Sequence, residues 1–178
     1  MEKRQTTTIR AVTDAADTRT VVLLAREIWN EHYVPIIGRD QVEYMLGRYQ
    51  SEPAVAEQIR EGTLYFLLLD AGSPAGYFAV VPDRASRRLL LGKLYVLRGL
   101  RQRGIARAGV EHAEKLARAM GLNVLWLRVN KNNRLAIQAY ERMGFATTGA
   151  PVQEIGEGFV MDDFQMEKKI RGKRKNRA

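Results

Sequence analysis

The stretch from Leu89 to Met120 constrains this chain more than any other. An apolar run, RRLLLGKLYVL, ends in a short basic loop, RQRGIA, which opens directly onto ARAGVEHAEKLARAMG. The run reads as a strand, and the apolar spacing of three and four that follows reads as a helix. A chain that turns through glycine into a helix presents backbone N–H groups with no intrahelical partner. The helix dipole adds partial positive charge at the same corner. A pyrophosphate suits such a corner, so the fold must leave it open beside a sheet.

The remaining periodicities place this corner in a mixed α/β chain. TTIRAV reads as a first strand, and Asp14 or Asp17 as the cap of a helix running to about His32. IIGRDQVEYMLGRYQ and EPAVAEQIREG read as two further helices, the second with Pro53 in its first turn and Gly62 as its stop. TLYFLLLD, AGYFAVVP and the RRLLLGKLYVL run form a meander joined at AGSP and DRAS. After the helix beginning near Gly104, VLWLRV is a strand and NRLAIQAYERMG a helix ended by Gly144. FATTGA and GFVMDDFQMEKK close the chain as two strands. The expectation is one α/β domain over residues 1–170. The basic end, residues 171–178, is expected to be a flexible tail.

Three glycine-loop patterns compete for RQRGIA. A dinucleotide fingerprint needs G-x-G-x-x-G, and Gly99 and Gly104 are too far apart for it. A Walker loop needs a Lys and a Ser/Thr where Ile105 and Ala106 stand. The pattern R/Q-x-x-G-x-G/A is met at every specified position, Arg101 to Ala106. Gly104 and Ala106 keep bulk away from the corner. Arg101, Arg103 and Arg107 add attraction. An ordinary strand–helix turn with exposed arginines would have the same six residues.

A second motif, NNRLAIQAYERMGF, follows about thirty residues later and has the form N-x-x-A-x-x-x-Y-x-x-x-G-F. Asn133 begins this helix. Ala136 and Tyr140 are four apart and share a face, with the small alanine clearing space beside the phenol. Gly144 and Phe145 read as a stop and a core residue.

Together, LYVLRGLRQRGIA and LRVNKNNRLAIQAYERMGF resemble the acetyl-CoA-binding half of the GNAT superfamily of N-acetyltransferases. The resemblance is specific over residues 89–146. It implies a mixed, mostly antiparallel central sheet flanked by helices and splayed near its middle to hold acetyl-CoA. It implies an enzyme that moves acetyl from acetyl-CoA to a primary amine by direct attack in a ternary complex. Arg101, Gln102, Arg103, Gly104, Ile105 and Ala106 would hold the CoA pyrophosphate. Leu94, Tyr95 and Val96 would pair with the pantetheine arm, a backbone N–H near Tyr95 or Val96 facing the thioester oxygen. Asn133 and Ala136 would lie against the cofactor. Tyr140 would be the general acid for the departing thiolate.

The base is not identified by the same route. Some family members carry a carboxylate on the strand before the loop, and LLLGKLYVL has none. Glu31, His32, Asp162 and Asp163 are the candidates. Trp29 and Tyr33 lie in the variable front half, where the superfamily builds its acceptor pocket, and suggest an aromatic wall suited to a small amine.

Composition narrows the rest. With no cysteine, no acyl group rests on a protein thiol. Two histidines and no thiolate argue against a metal centre. No apolar run reaches membrane length, and the N-terminus has no signal-peptide core. A cytoplasmic protein without a membrane partner is expected, and homodimers are common in the superfamily. The formal net charge of +9 is concentrated in KKIRGKRKNRA. Nucleic acid is not expected as a partner, because basic residues elsewhere are not interleaved with aromatics. The rival readings are a protein acetyltransferase acting on lysine or an N-terminus, and a non-catalytic module binding CoA or nucleic acid.

Overall fold

A computed structural model describes residues 7–170. The stretch 171–178, expected to be a tail, lies outside the described residues. The elements are β1 (Thr8–Ala11), α1 (Ala15–His32), α2 (Val34–Ile37), α3 (Arg39–Tyr49), α4 (Glu52–Arg60), β2 (Leu64–Asp70), β3 (Ser73–Asp83), β4 (Arg88–Val96), a 3-10 turn (Arg98–Leu100), α5 (Ile105–Ala119), β5 (Val124–Asn130), α6 (Arg134–Arg142), β6 (Ala146–Gly149), β7 (Val152–Gly156) and β8 (Phe159–Lys169). Hydrogen-bonded neighbours follow the order β1-β2-β3-β4-β5-β8-β6, with β7 on β8. The β4–β5 pair is parallel. The pairs β1–β2, β2–β3, β5–β8, β6–β8 and β7–β8 are antiparallel. The mixed, mostly antiparallel sheet with flanking helices is the expected fold class.

The chain forms two compact units. The first takes in the described residues up to Val80 together with Gly92–Val110. Its α1 starts at Asp14, whose carboxylate accepts from the Asp17 N–H at 2.8 Å. Asp17 instead pairs with Arg10 at 2.7 Å. Ala71 and Gly72 both have positive φ, the backbone that a two-residue hairpin between β2 and β3 requires. Strand alternation then gives the sheet two distinct faces. Phe66 stacks on Phe78 on one face, with centroids 4.8 Å apart. That face receives α5, where a Cβ on Gly109 would come within 3.1 Å of Leu94 Cδ1. The opposite face carries Tyr65 and Tyr77, whose hydroxyls donate to Gln58 of α4 and to the buried Gln50.

The second unit comprises Val81–Leu91 and the residues from Glu111 onward. The parallel β4–β5 ladder has three residue pairs, Arg88↔Val124 to Leu90↔Trp126. On its other side β5 pairs with β8 over seven residues, Val124↔Lys169 to Asn130↔Asp163. Leu125, Leu127 and Met166 are fully buried here.

The expectation of two closing strands is corrected: β7 stands between them. Val152 and Ile155 are three apart, off the period of two, and the segment lies between Pro151 and Gly156, so its local strand signal is weak. Its pairing partner makes it a strand. It forms a hairpin with β8 from Val152↔Asp162 to Gly156↔Phe159, and Glu157 and Gly158 turn with positive φ.

Candidate active site

The anion corner is built at the end of β4, in the first unit. Leu97 N–H donates to Ala75 O at 2.9 Å, tying the strand end to β3. The 3-10 turn follows, and then Gln102 (φ 64°) and Gly104 (φ 84°) turn the chain left-handed on either side of Arg103. Ile105 starts α5. A Cβ on Gly104 would meet nothing within 4 Å. Glycine is therefore required here by φ, and the space above it is open. A helix start leaves its first amides without intrahelical partners, and α5 starts beside that space. The corner fits a pyrophosphate through its main chain.

The arginines are deployed differently. Arg101 folds back, donating from Nε to Val96 O at 3.0 Å and lying 3.4 Å from His32 Nδ1. It clamps the end of β4. Arg103 pairs with Asp70 at 3.7 Å, while Arg107 is exposed. Gln102 is exposed, Ile105 is buried and Ala106 is half-buried.

Gly76 of β3 shapes the neighbouring strand. A Cβ there would stand 2.2 Å from Tyr95 O and 3.0 Å from Val96 Cα. A register shift at Leu68/Leu69 on β2 places a bulge beside it. The backbone expected to hold the thioester is thus pressed against a glycine that leaves it room.

Tyr95 joins an aromatic cluster in the first unit. Trp29 packs 5.2 Å from Tyr33 and 5.5 Å from Tyr95, and Tyr77 lies 5.3 Å from Tyr95. Trp29 is buried, whereas Tyr33 and Tyr95 are half-buried and form the accessible part of the wall. His32 stands edge-on to Tyr33. Glu31 is exposed and pairs with Arg98 at 3.5 Å.

The second unit holds the second motif. Asn133, nearly fully buried, caps α6 by accepting from Ala136 N–H at 3.4 Å. Tyr140 lies one turn beyond Ala136, with its ring edge-on to Phe145 at 5.6 Å. No residue of α6 is fully buried, and Ala136 and Tyr140 are half-covered on its shared face. The expected helix face is formed and accessible.

Asp162 and Asp163 are adjacent but differ in environment. Asp162 is exposed and forms an ion pair with Lys131. Asp163 points the other way, is 4% exposed and sits opposite Asn130 at the end of β5. Burial pushes its carboxyl up to about 6, reinforced by Asp162 and opposed by Arg128 and Lys131. Asp163 is therefore a stronger proton acceptor than an ordinary carboxylate.

One residue that sequence reasoning passed over emerges beside these. Lys93 of β4 is half-buried, donates to Gln58 Oε1 at 2.7 Å, and is lowered to about 8 by desolvation. Its visible signal was a lysine interrupting an otherwise apolar strand. Among the described residues, no group of three or more acidic or histidine side chains is placed to hold a metal, and no helix is long and apolar enough to cross a membrane.

Comparison with known proteins agrees with this geometry. The acetyltransferase (GNAT) family profile matches residues 24–145, and the chain belongs to that family of acetyl-CoA-dependent N-acetyltransferases. Streptothricin acetyltransferase of Streptomyces lavendulae is 42% identical over 78 residues, 44% of this chain and 41% of that protein. The chain thus aligns with less than half the length of that relative. The peptidyl-lysine N-acetyltransferase YjaB of Salmonella typhimurium is 27% identical over 115 residues, 64% of this chain and 72% of that protein. Among solved structures, the PaiA N-acetyltransferase of Thermoplasma acidophilum, in complex with coenzyme A, shares the fold. Its TM-score is 0.76 at 22% identity, covering 92% of this chain and 99% of that one.

Proposed function

We propose that this protein transfers acetyl from acetyl-CoA to the primary amine of a small molecule by direct attack. The observation that carries the reading is the corner at residues 101–106, where two left-handed residues turn the chain into α5 and leave an open face over Gly104 beside the helix start. Leu94, Tyr95 and Val96 pair with the pantetheine arm, and a β4 N–H faces the thioester oxygen. Asn133 and Ala136 border the cofactor. Tyr140 protonates the departing thiolate. A phenol, near 10, is a suitable proton donor to a thiolate whose acid is near 8.5.

Asp163 is the base in this reading. Glu31 and Asp162 are held in ion pairs, and His32 lies against Arg101. Asp163 alone among the carboxylate candidates is buried and raised. The half-buried rings of Tyr33 and Tyr95 supply an aromatic wall for a compact acceptor. The streptothricin acetyltransferase relative supports a small amine, and the peptidyl-lysine relative keeps protein lysine as the second reading.

The test is calorimetric titration with acetyl-CoA, using ATP and NAD as controls, on wild type and Gly104→Glu. Selective binding lost in the variant supports the corner's role. Thiol release is then followed with small amines and with lysine-bearing peptides. Absence of acetyl-CoA binding overturns the transfer reading, and release with peptides alone overturns the small-amine acceptor.

A further inference from the structure

Lys93 stands two residues before Tyr95 on β4, so their side chains share a face of the strand. Its ammonium lies 5.1 Å from the centroid of the Tyr65 ring. It donates to Gln58 Oε1 at 2.7 Å. The same oxygen accepts from the Tyr65 hydroxyl at 2.8 Å. Gln58 Nε2 donates to Tyr49 O at 2.9 Å, which fixes the amide's orientation and turns its oxygen toward Lys93. An amide oxygen favours the donating, charged lysine, so these contacts do not prepare Lys93 as a base.

The protein surrounds this cation with neutral partners. Among the described residues, no carboxylate forms an ion pair with Lys93. One of its three N–H groups is engaged by Gln58. The ring of Tyr65 gives a modest cation–π attraction. Desolvation is uncompensated to the extent that the group is lowered to about 8. An ammonium left in this state gains most from an anion brought by a ligand. Lys93 remains partly accessible, and its strand face leads to the half-buried Tyr95 and Tyr33.

We propose that Lys93 selects the acceptor by pairing with an anionic group on it, so that the substrate is a small primary amine that also carries a carboxylate. The inference rests on the small-amine reading and gives it a chemical class. Amino-acid-like amines satisfy Lys93, whereas polyamines bring a second positive charge toward it.

The test compares amines that differ by one carboxylate: 4-aminobutyrate against propylamine, and lysine against cadaverine. In wild type the carboxylated partner is expected to have the higher kcat/KM by roughly 10- to 100-fold, the range for a hydrogen bond to a charged group. In Lys93→Met the ratio collapses toward one, mainly through KM. Lys93→Gln, which keeps a donor, serves as a second variant, and circular dichroism confirms that both fold. A binding readout runs in parallel on protein labelled with lysine enriched in 13Cε, with Lys93→Arg assigning the resonance. In the presence of CoA, 4-aminobutyrate or lysine should raise the Lys93 titration midpoint, while propylamine, cadaverine or CoA alone should not. No response to either carboxylated amine, a response to CoA alone, or preference for the decarboxylated partners overturns the proposal. If Lys93 responds but no amine releases thiol, the carboxylate site stands and the transfer reading fails.

Discussion

Asp163 and Tyr140 carry the predictions that belong to single residues. Burial raises the Asp163 carboxyl from 3.8 to about 6. Between those values the folded state holds a proton that the unfolded chain has released. Its contribution therefore stabilises the fold at low pH and is lost as pH rises through about 6. At neutral pH the ionised group costs stability, tempered by Arg128 and Lys131. Asp163→Asn is expected to raise stability at pH 7.5 by about 1–2 kcal/mol, seen as a Tm increase of a few degrees. It should lower kcat/KM for the amine by about 10²-fold. Wild-type kcat/KM should decline as pH falls through about 6. A less stable, fully active Asp163→Asn would remove Asp163 from the mechanism. For Tyr140→Phe, kcat is expected to fall by about 10²- to 10⁴-fold with the calorimetric Kd for acetyl-CoA retained, since the ring and its contact with Phe145 remain. Sequence placed Tyr140 on a helix face shared with Ala136, because motif and helical period agreed. It could not separate Asp163 from Asp162: both are carboxylates, and only packing makes one face of β8 dry.

The elements that matter most are β4 and the start of α5. The corner between them was legible because every determinant is local: a glycine, a helix start and a strand end. Gly104→Ala is expected to cost about 1–2 kcal/mol for placing a Cβ residue at left-handed φ, with denaturant melts as the check. The space above it is open, so the fold should survive. Gly76 is different. A Cβ there meets the backbone of β4 at 2.2 Å, and relief must move Tyr95 and Val96. Gly76→Ala should therefore destabilise by about 1–3 kcal/mol. It should also lower kcat at temperatures where the protein is fully folded. Unchanged turnover in the folded variant would show that β4 geometry there is not used. Nothing in AGYFAVVP itself names the strand that approaches Gly76, because that approach is made by a segment about twenty residues away. The same limit hid β7, whose strand character comes from pairing with β8 rather than from its own residues.

At the scale of the molecule, net charge is the remaining question. Five of the lysines and arginines lie in residues 171–178. Truncation after Ile170 is expected to leave acetyl transfer unchanged and to weaken any salt-dependent association with nucleic acid. Loss of transfer on truncation would give the tail a direct role in the enzyme. The sequence by itself determined most of the longer helices and strands, the strand–glycine–helix corner at residues 96–105 and the family, since these depend on periodicity, turn chemistry and motifs within short windows. Tertiary structure decided which charges lose water. Lys93 looks like any strand lysine until Gln58 and Tyr65 close around it, and Asp163 looks like Asp162 until β8 pairs with β5. Alternation along a strand assigns residues to faces, but desolvation depends on what distant segments bring to each face. That is why the motifs proposed to hold the cofactor stand out in the chain, while the choice of Asp163 among the candidate bases and the setting of Lys93 came from the fold.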